Sequence, residues 1–186
     1  ATALVALGVV SCTPRPPAAE PDPGVVEGDL GVATFAGGCF WCVESAFDDI
    51  PGVVSAISGY TGGPELEPTY QQVSRGETGH YEAVQVTYDT ARLSYQDMLW
   101  VFWRQIDPTD AGGQFVDRGD QYRTALFAHN ETQRRLAQAS LDELERSGRY
   151  EGPIVTPILD AARFWPAEDY HQDYLQKHPG GYTCHF

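Results

Sequence analysis

Apolar and polar positions alternate between two periods along most of this chain. From Val32 to Ala36 the run VATFA suits a buried strand, and Gly37 and Gly38 then turn the chain into a helix beginning near Phe40. Pro51-Gly52 closes that helix, and Val53 to Ser58 resumes a strand. Tyr81 to Tyr88 alternates with period two, which puts Glu82 on one face with Val84, Val86 and Tyr88. Ser94 with Asp97 three residues on starts a helix whose apolar stripe is Met98, Leu99, Val101, Phe102 and Ile106, and Pro108 stops it. Tyr122 to Ala128 reads as a strand, Glu131 to Ser147 as an amphipathic helix closed by Gly148, and Ile154 to Leu159 as a short strand. Pro166 suits the first position of a last helix, with Glu168 and Asp169 in its first turn and Lys177 and His178 in its last. The segment Gly59 to Gly79, with Gly62, Gly63, Pro64 and Pro68, reads as a long functional loop. Strands and helices interleave without a strict parallel repeat, so the expected class is α/β, a two-layer sandwich with a mixed sheet.

The first residues stand apart from this pattern. Residues 1–12, ATALVALGVVSC, are small, apolar and uncharged, as in the hydrophobic stretch of a truncated signal peptide, and Val9, Val10 and Ser11 before Cys12 resemble a bacterial lipobox. Five of the thirteen prolines fall between Thr13 and Pro23, so residues 13–31 are expected to be an extended linker, and 32–186 the folded domain. On that reading Cys12 is lipidated, and the protein is an exported, membrane-anchored lipoprotein on the periplasmic side. No run of eighteen apolar residues is present to span a bilayer as a helix.

Composition narrows the function. A formal charge of −14, from 26 acidic against 12 basic residues, argues against binding nucleic acid or anionic headgroups. Residues 1–32 hold one arginine against four carboxylates, so most of the acidity belongs to the domain. Four cysteines, Cys12, Cys39, Cys42 and Cys184, are too few and scattered for a disulfide framework. The five histidines show no metal-ligand spacing, and no metal or bound cofactor is expected.

Cys39-Phe40-Trp41-Cys42 is the sharpest chemical signal. Cys39 falls at a helix entrance, where unpaired backbone N–H groups stabilise a thiolate, and Cys42 is spaced for a resolving role. A thioredoxin-like exchange site shares this spacing, and half of a zinc site is a further alternative. The bulky Phe40 and Trp41 suit a pocket for a methyl or thioether group better than a flat docking surface, although both also fit an ordinary helix core. Glu82, on its apolar face, is a candidate general acid if burial raises its pKa, and a solvated strand end if not.

The motifs GGCFWCVE at 37–44, GYTGG at 59–63, PTY at 68–70, GHYEAVQVTYD at 79–89, DQYR at 120–123, AEDYHQDYL at 167–175 and HPGGYTCHF at 178–186 occur together and in this order. From Ala33 to Phe186 the sequence thereby resembles the type A methionine sulfoxide reductases. The resemblance implies a ferredoxin-like α/β fold in which Cys39 attacks the sulfoxide sulfur and Phe40 and Trp41 cup the methyl group. It implies Glu82 as proton donor, Tyr70 and Tyr122 as hydroxyls bonded to the sulfoxide oxygen, and Asp117 as a carboxylate near the site. Asp120 is expected only as a turn residue. Cys42 or Cys184 would resolve the sulfenic acid on Cys39, and thioredoxin or, for an exported enzyme, a thioredoxin-like protein would regenerate the thiols. Methionine sulfoxide, free or in proteins, is the implied substrate, and a monomer is expected. A disulfide-exchange module and a non-catalytic lipoprotein that binds oxidised Met-rich surfaces stand as rivals.

Overall fold

The computed structural model describes residues 29–182; the leader and linker calls at 1–28, and Cys184, lie outside the described residues. Strand β1 (Leu30–Gly37) leads through Gly38 into helix α1 (Phe40–Asp48), and β2 (Val53–Thr61) follows. A short helix α2 (Tyr70–Ser74) precedes β3 (Tyr81–Asp89), and α3 (Tyr95–Gln105) leads to a two-residue hairpin, β4 (Gly113–Gln114) and β5 (Asp117–Arg118). Then come β6 (Thr124–Ala128), α4 (Glu131–Arg146), β7 (Ile158–Asp160), β8 (Trp165–Pro166) and α5 (Tyr174–Lys177).

The sheet runs β7-β6-β1-β3-β2-β8. Its four central strands, β6-β1-β3-β2, are antiparallel and connected β-α-β-β-α-β, which is the ferredoxin-like order; only β7 pairs in parallel, with β6, so the sheet is mixed. Helices α1, α3 and α4 bring their apolar faces into one core with the sheet. Phe35 of β1 lies at its centre, stacked at 5.2 Å on both Phe47 of α1 and Phe102 of α3. Burying a ring of that size is worth roughly 1.5–3 kcal/mol. The stripe read for α3 is the buried one, and Ser94 and Asp97 cap that helix reciprocally.

Four expectations need correction. The segment 59–79 is not all loop: β2 continues to Thr61, and α2 is held by a capping box between Thr69 and Gln72. Tyr122 closes a 3-10 turn (Asp120–Tyr122), so the strand expected from it begins at Thr124. In 154–159 only Ile158 onward pairs, because Pro157 lacks an N–H and offers its carbonyl to Leu126. The helix expected from Pro166 to His178 is replaced by β8, a 3-10 turn (Asp169–His171) and the four-residue α5. The edge of β2 takes this backbone instead: Pro166 pairs with Gly59, Ala167 N–H donates to Ser58 O, and the Gln172 side chain bonds both backbone groups of Ser58. Proline is tolerated at such an edge because no donor is lost from the ladder. Glycine at 59 is required there, since a Cβ would meet Phe164 and the Trp165 carbonyl at 2.4 Å.

Candidate active site

The site grows from the turn between β1 and α1. Gly38 adopts φ +89°, and a Cβ on it would come within 2.7 Å of the Gln114 side chain, so only glycine allows the β4–β5 hairpin to close on this turn. The turn delivers Cys39 as N-cap of α1, its carbonyl accepting from Cys42 and Val43 N–H. The first helical N–H, that of Phe40, has no partner within the helix and donates to Glu82 Oε2 at 3.1 Å.

Glu82 is 1% exposed, in agreement with its place on the apolar face of β3. Burial pushes its carboxyl up to about 8, with the Phe40 N–H opposing the shift and Asp117 reinforcing it, so the group holds its proton at neutrality. Cys39 is a free thiol, 6% exposed. The backbone N–H groups of Trp41 and Cys42 favour its thiolate as the helix entrance suggested, but burial, followed by the charge of Glu82, outweighs them and pushes the thiol well above its ordinary range. Proton-bearing Glu82 removes the second of those penalties.

Tyr70 at the start of α2 and Tyr122 before β6 are half-buried, and Glu82, Cys39 and Asp117 all act electrostatically on both. Burial first, then Glu82, raises each phenol, so both remain neutral O–H donors. Asp117 starts β5; its Oδ1 accepts from Tyr182 at 2.7 Å, and its Oδ2 is buried without a partner among the described residues. Phe40 is buried against Tyr60, Tyr70 and His171, and Trp41 stacks flat on Tyr174 at 3.6 Å. The tertiary structure thus gathers Cys39, Glu82, Tyr70, Tyr122, Asp117, Phe40 and Trp41 around one point. Cys42 packs with Cys39, Trp41, Tyr122 and Leu175. It is disulfide-bonded while Cys39 is free, so the two are not joined to each other.

Sequence reasoning missed a girdle from the chain's end. Glu168 accepts from Tyr60 O–H at 2.9 Å and from Tyr70 N–H at 3.0 Å, while His171 accepts from Trp41 Nε1–H at 3.1 Å. Both residues lie in the motif AEDYHQDYL, yet an exposed-looking helical reading of that segment hid them. Among the described residues no group of three or more His, Cys, Asp or Glu could hold a metal ion, and no helix is long and apolar enough to cross a membrane.

Comparison with known proteins places this arrangement. The family described as "Peptide methionine sulfoxide reductase" matches residues 31–186. The chain belongs to that family. It is similar to the peptide methionine sulfoxide reductase MsrA of Bacillus licheniformis, 55% identical over 152 residues, which are 82% of this chain and 84% of that protein. Among solved structures it resembles reduced Mxr1 from Saccharomyces cerevisiae, with TM-score 0.77 and 32% identity over 90% of this chain and 94% of that one. It shares its fold also with Mxr1 in complex with Trx2, at TM-score 0.55 and 21% identity over 88% of this chain and 95% of that one. As a member of the peptide methionine sulfoxide reductase family the protein is an oxidoreductase acting on methionine sulfoxide.

Proposed function

We propose that the protein is a peptide-methionine (S)-S-oxide reductase that works through a sulfenic acid on Cys39 and an intramolecular disulfide. The observation that carries this reading is a free, buried Cys39 beside Glu82, a carboxyl that keeps its proton up to about 8. The sulfoxide oxygen is placed between Glu82, Tyr70 and Tyr122, whose O–H groups polarise it, while Phe40 and Trp41 receive the methyl group. Cys39 sulfur attacks the sulfoxide sulfur, the oxygen passes to Cys39, and methionine leaves as the thioether. One sulfur is oxidised by two electrons and the other reduced by two. The proton that Glu82 lends to the oxygen is returned by the Cys39 thiol. Asp117 is a further carboxylate near the site, bonded through Oδ1 to Tyr182.

The sulfenic acid then condenses with the Cys42 thiol, releasing water. Cys184 attacks the Cys39–Cys42 disulfide at Cys42, which frees Cys39; a disulfide-bonded Cys42 beside a free Cys39 agrees with this order. A thioredoxin-like dithiol reduces the final bond, a role supported by the complex that Mxr1 forms with Trx2. The protein acts as a monomer. Residues 1–12 direct export, Cys12 carries the lipid, and the proline-rich linker tethers the domain on the periplasmic side, the domain beginning with β1 at Leu30 rather than at the expected residue 32.

Single-turnover reduction of the two methionine sulfoxide epimers by the reduced chain tests the chemistry. The S epimer alone is consumed, Cys42→Ser leaves a trappable sulfenic acid on Cys39, and Cys184→Ser stops at the Cys39–Cys42 disulfide. Consumption of neither epimer overturns the enzyme reading, and a Cys39–Cys184 disulfide formed in Cys42→Ser as fast as the wild-type disulfide overturns the relay. For the anchor, intact-mass analysis after expression in a bacterial host shows a lipid-sized increment at Cys12; an unmodified Cys12 thiol there rejects it.

A further inference from the structure

The β4–β5 hairpin is anchored at the site by its base and exposed at its tip. Gly113 pairs with Arg118 and Gln114 with Asp117, so the tip is two residues, Phe115 and Val116. Its base is held firmly. Gln114, 1% exposed, accepts the Asp107 N–H at 2.7 Å and donates to the Asp107 carbonyl at 2.9 Å, and Gly119 N–H donates to Gly112 O at 3.0 Å. The same glutamine packs on the Gly38 turn that delivers Cys39, and Asp117, the residue after Val116, acts electrostatically on Cys39 and Glu82. Phe115 and Val116 are nevertheless 46% and 64% exposed. Phe115 is also strained: its φ is +51°, a region that bulky side chains rarely adopt, and in a two-residue hairpin such a position normally goes to Gly, Asn or Asp. Strain and adjoining exposed apolar area, together at the rim of the site, point to contact with a bound molecule.

We propose that the Phe115–Val116 tip is a specificity subsite, which holds an apolar side chain flanking the methionine sulfoxide of a polypeptide substrate. This rests on the reading of Cys39 as the atom that receives the sulfoxide. The family acts on peptides, so the substrate chain continues beyond the residue in the pocket. Consecutive Cα atoms lie about 3.8 Å apart, which keeps the flanking side chains close to the pocket mouth. The tip is within the same span, because Val116 directly precedes a carboxylate that acts on Cys39. A base fixed by Gln114 presents the tip before substrate arrives, so little chain entropy is lost on contact. Free methionine sulfoxide has no flanking side chain to offer, and a polar neighbour gains nothing from an aromatic and a valine. The tip therefore favours oxidised methionines set among apolar residues, the surroundings of a methionine from a protein core.

The test is equilibrium affinity, read by tryptophan fluorescence on the reduced Cys39→Ser chain, which binds without turning over. Three S-epimer ligands are compared: free methionine sulfoxide, a blocked pentapeptide with leucine on both sides of the sulfoxide, and its counterpart with serine on both sides. The leucine peptide binds about fivefold more tightly than the serine peptide. Adding Phe115→Gly brings the two peptides within about twofold, and the thermal midpoint does not fall, because glycine adopts a positive φ without strain. Val116→Ser, which leaves the strained position untouched, about halves the preference. Free methionine sulfoxide binds all three chains alike. A leucine preference that survives both substitutions overturns the proposal, and so does an equal loss for all three ligands. Unchanged peptide affinities with slower reduction of the final disulfide by a thioredoxin-like protein assign the tip to the reductant and overturn it as well. The affinity ratio needs no reduction of substrate, so it stands or falls separately from the consumption of either epimer.

Discussion

Replacing Cys39 by serine abolishes reduction of methionine sulfoxide, by on the order of 10⁴-fold or more in a single turnover. Oxygen transfer requires a nucleophile that can be oxidised by two electrons at the attacking atom, and a hydroxyl oxygen cannot accept the oxygen that sulfur does. Cys42 does not substitute, because the carboxyl of Glu82 is bonded to the N–H that follows Cys39 and so sits at position 39 rather than at 42. Serine is close in size to cysteine, and position 39 is an N-cap, where a hydroxyl is well tolerated, so the variant stays folded. Stopped assays on the reduced variant, with circular dichroism for the fold, check this; turnover above a few per cent of wild type assigns the nucleophile elsewhere.

Glu82→Gln separates catalysis from stability. The amide still accepts the Phe40 N–H but cannot donate an acidic proton to the sulfoxide oxygen, so kcat falls by about 10²–10⁴-fold. Stability moves the other way. The folded-state carboxyl, at about 8, lies above its ordinary 4.5, so the folded protein binds more protons than the unfolded chain between those values. Wild-type stability contributed by the protonated group is complete below about 4.5 and is lost as pH rises through about 8. Glutamine carries no such dependence. The thermal midpoint of Glu82→Gln relative to wild type therefore rises across that window and levels off above it. Glu44, raised to about 7 by burial and Asp48, and Asp48, raised to about 6 by burial and Asp173, titrate in both proteins and cancel in the difference. A flat difference shows that Glu82 is not the buried proton holder, and unchanged turnover removes it as the acid.

Much of this site was legible before any coordinates because its chemistry sits where local rules are strong. Period-two alternation exposed Glu82 as a carboxylate on an apolar face, and β3 buries that face. The glycine pair at 37–38 marked the strand-to-helix turn, and the Ser94–Asp97 pair marked a cap; both are short-range signals that tertiary contacts reinforce. The same kind of signal, Thr69 with Gln72, was present for α2 and was hidden among glycines and prolines. The resemblance motifs named Tyr70, Tyr122 and Asp117, which no local pattern distinguishes from other surface tyrosines and turn acids.

Residues 165–178 illustrate the opposite case. Their proline, early acids and late bases compose a helix by every local criterion, yet β2 offers an open sheet edge, and pairing there satisfies backbone groups of Ser58 and Gly59 that an isolated helix would leave open. Only that long-range pairing turns Glu168 and His171 toward Tyr60, Tyr70 and Trp41. The upward shift of Cys39 has the same origin, since a helix entrance acts through neighbouring N–H groups, whereas burial depends on everything packed around the thiol. By itself the sequence determined the central strand order's raw elements, the nucleophile's turn and the acid's buried face, because periodicity and glycine geometry act within a few residues. The tertiary structure alone decided which side chains hold Trp41 and Tyr70 in place and how tightly the protons are kept, because those energies come from contacts 42 to 130 residues apart in the chain and from the water they exclude.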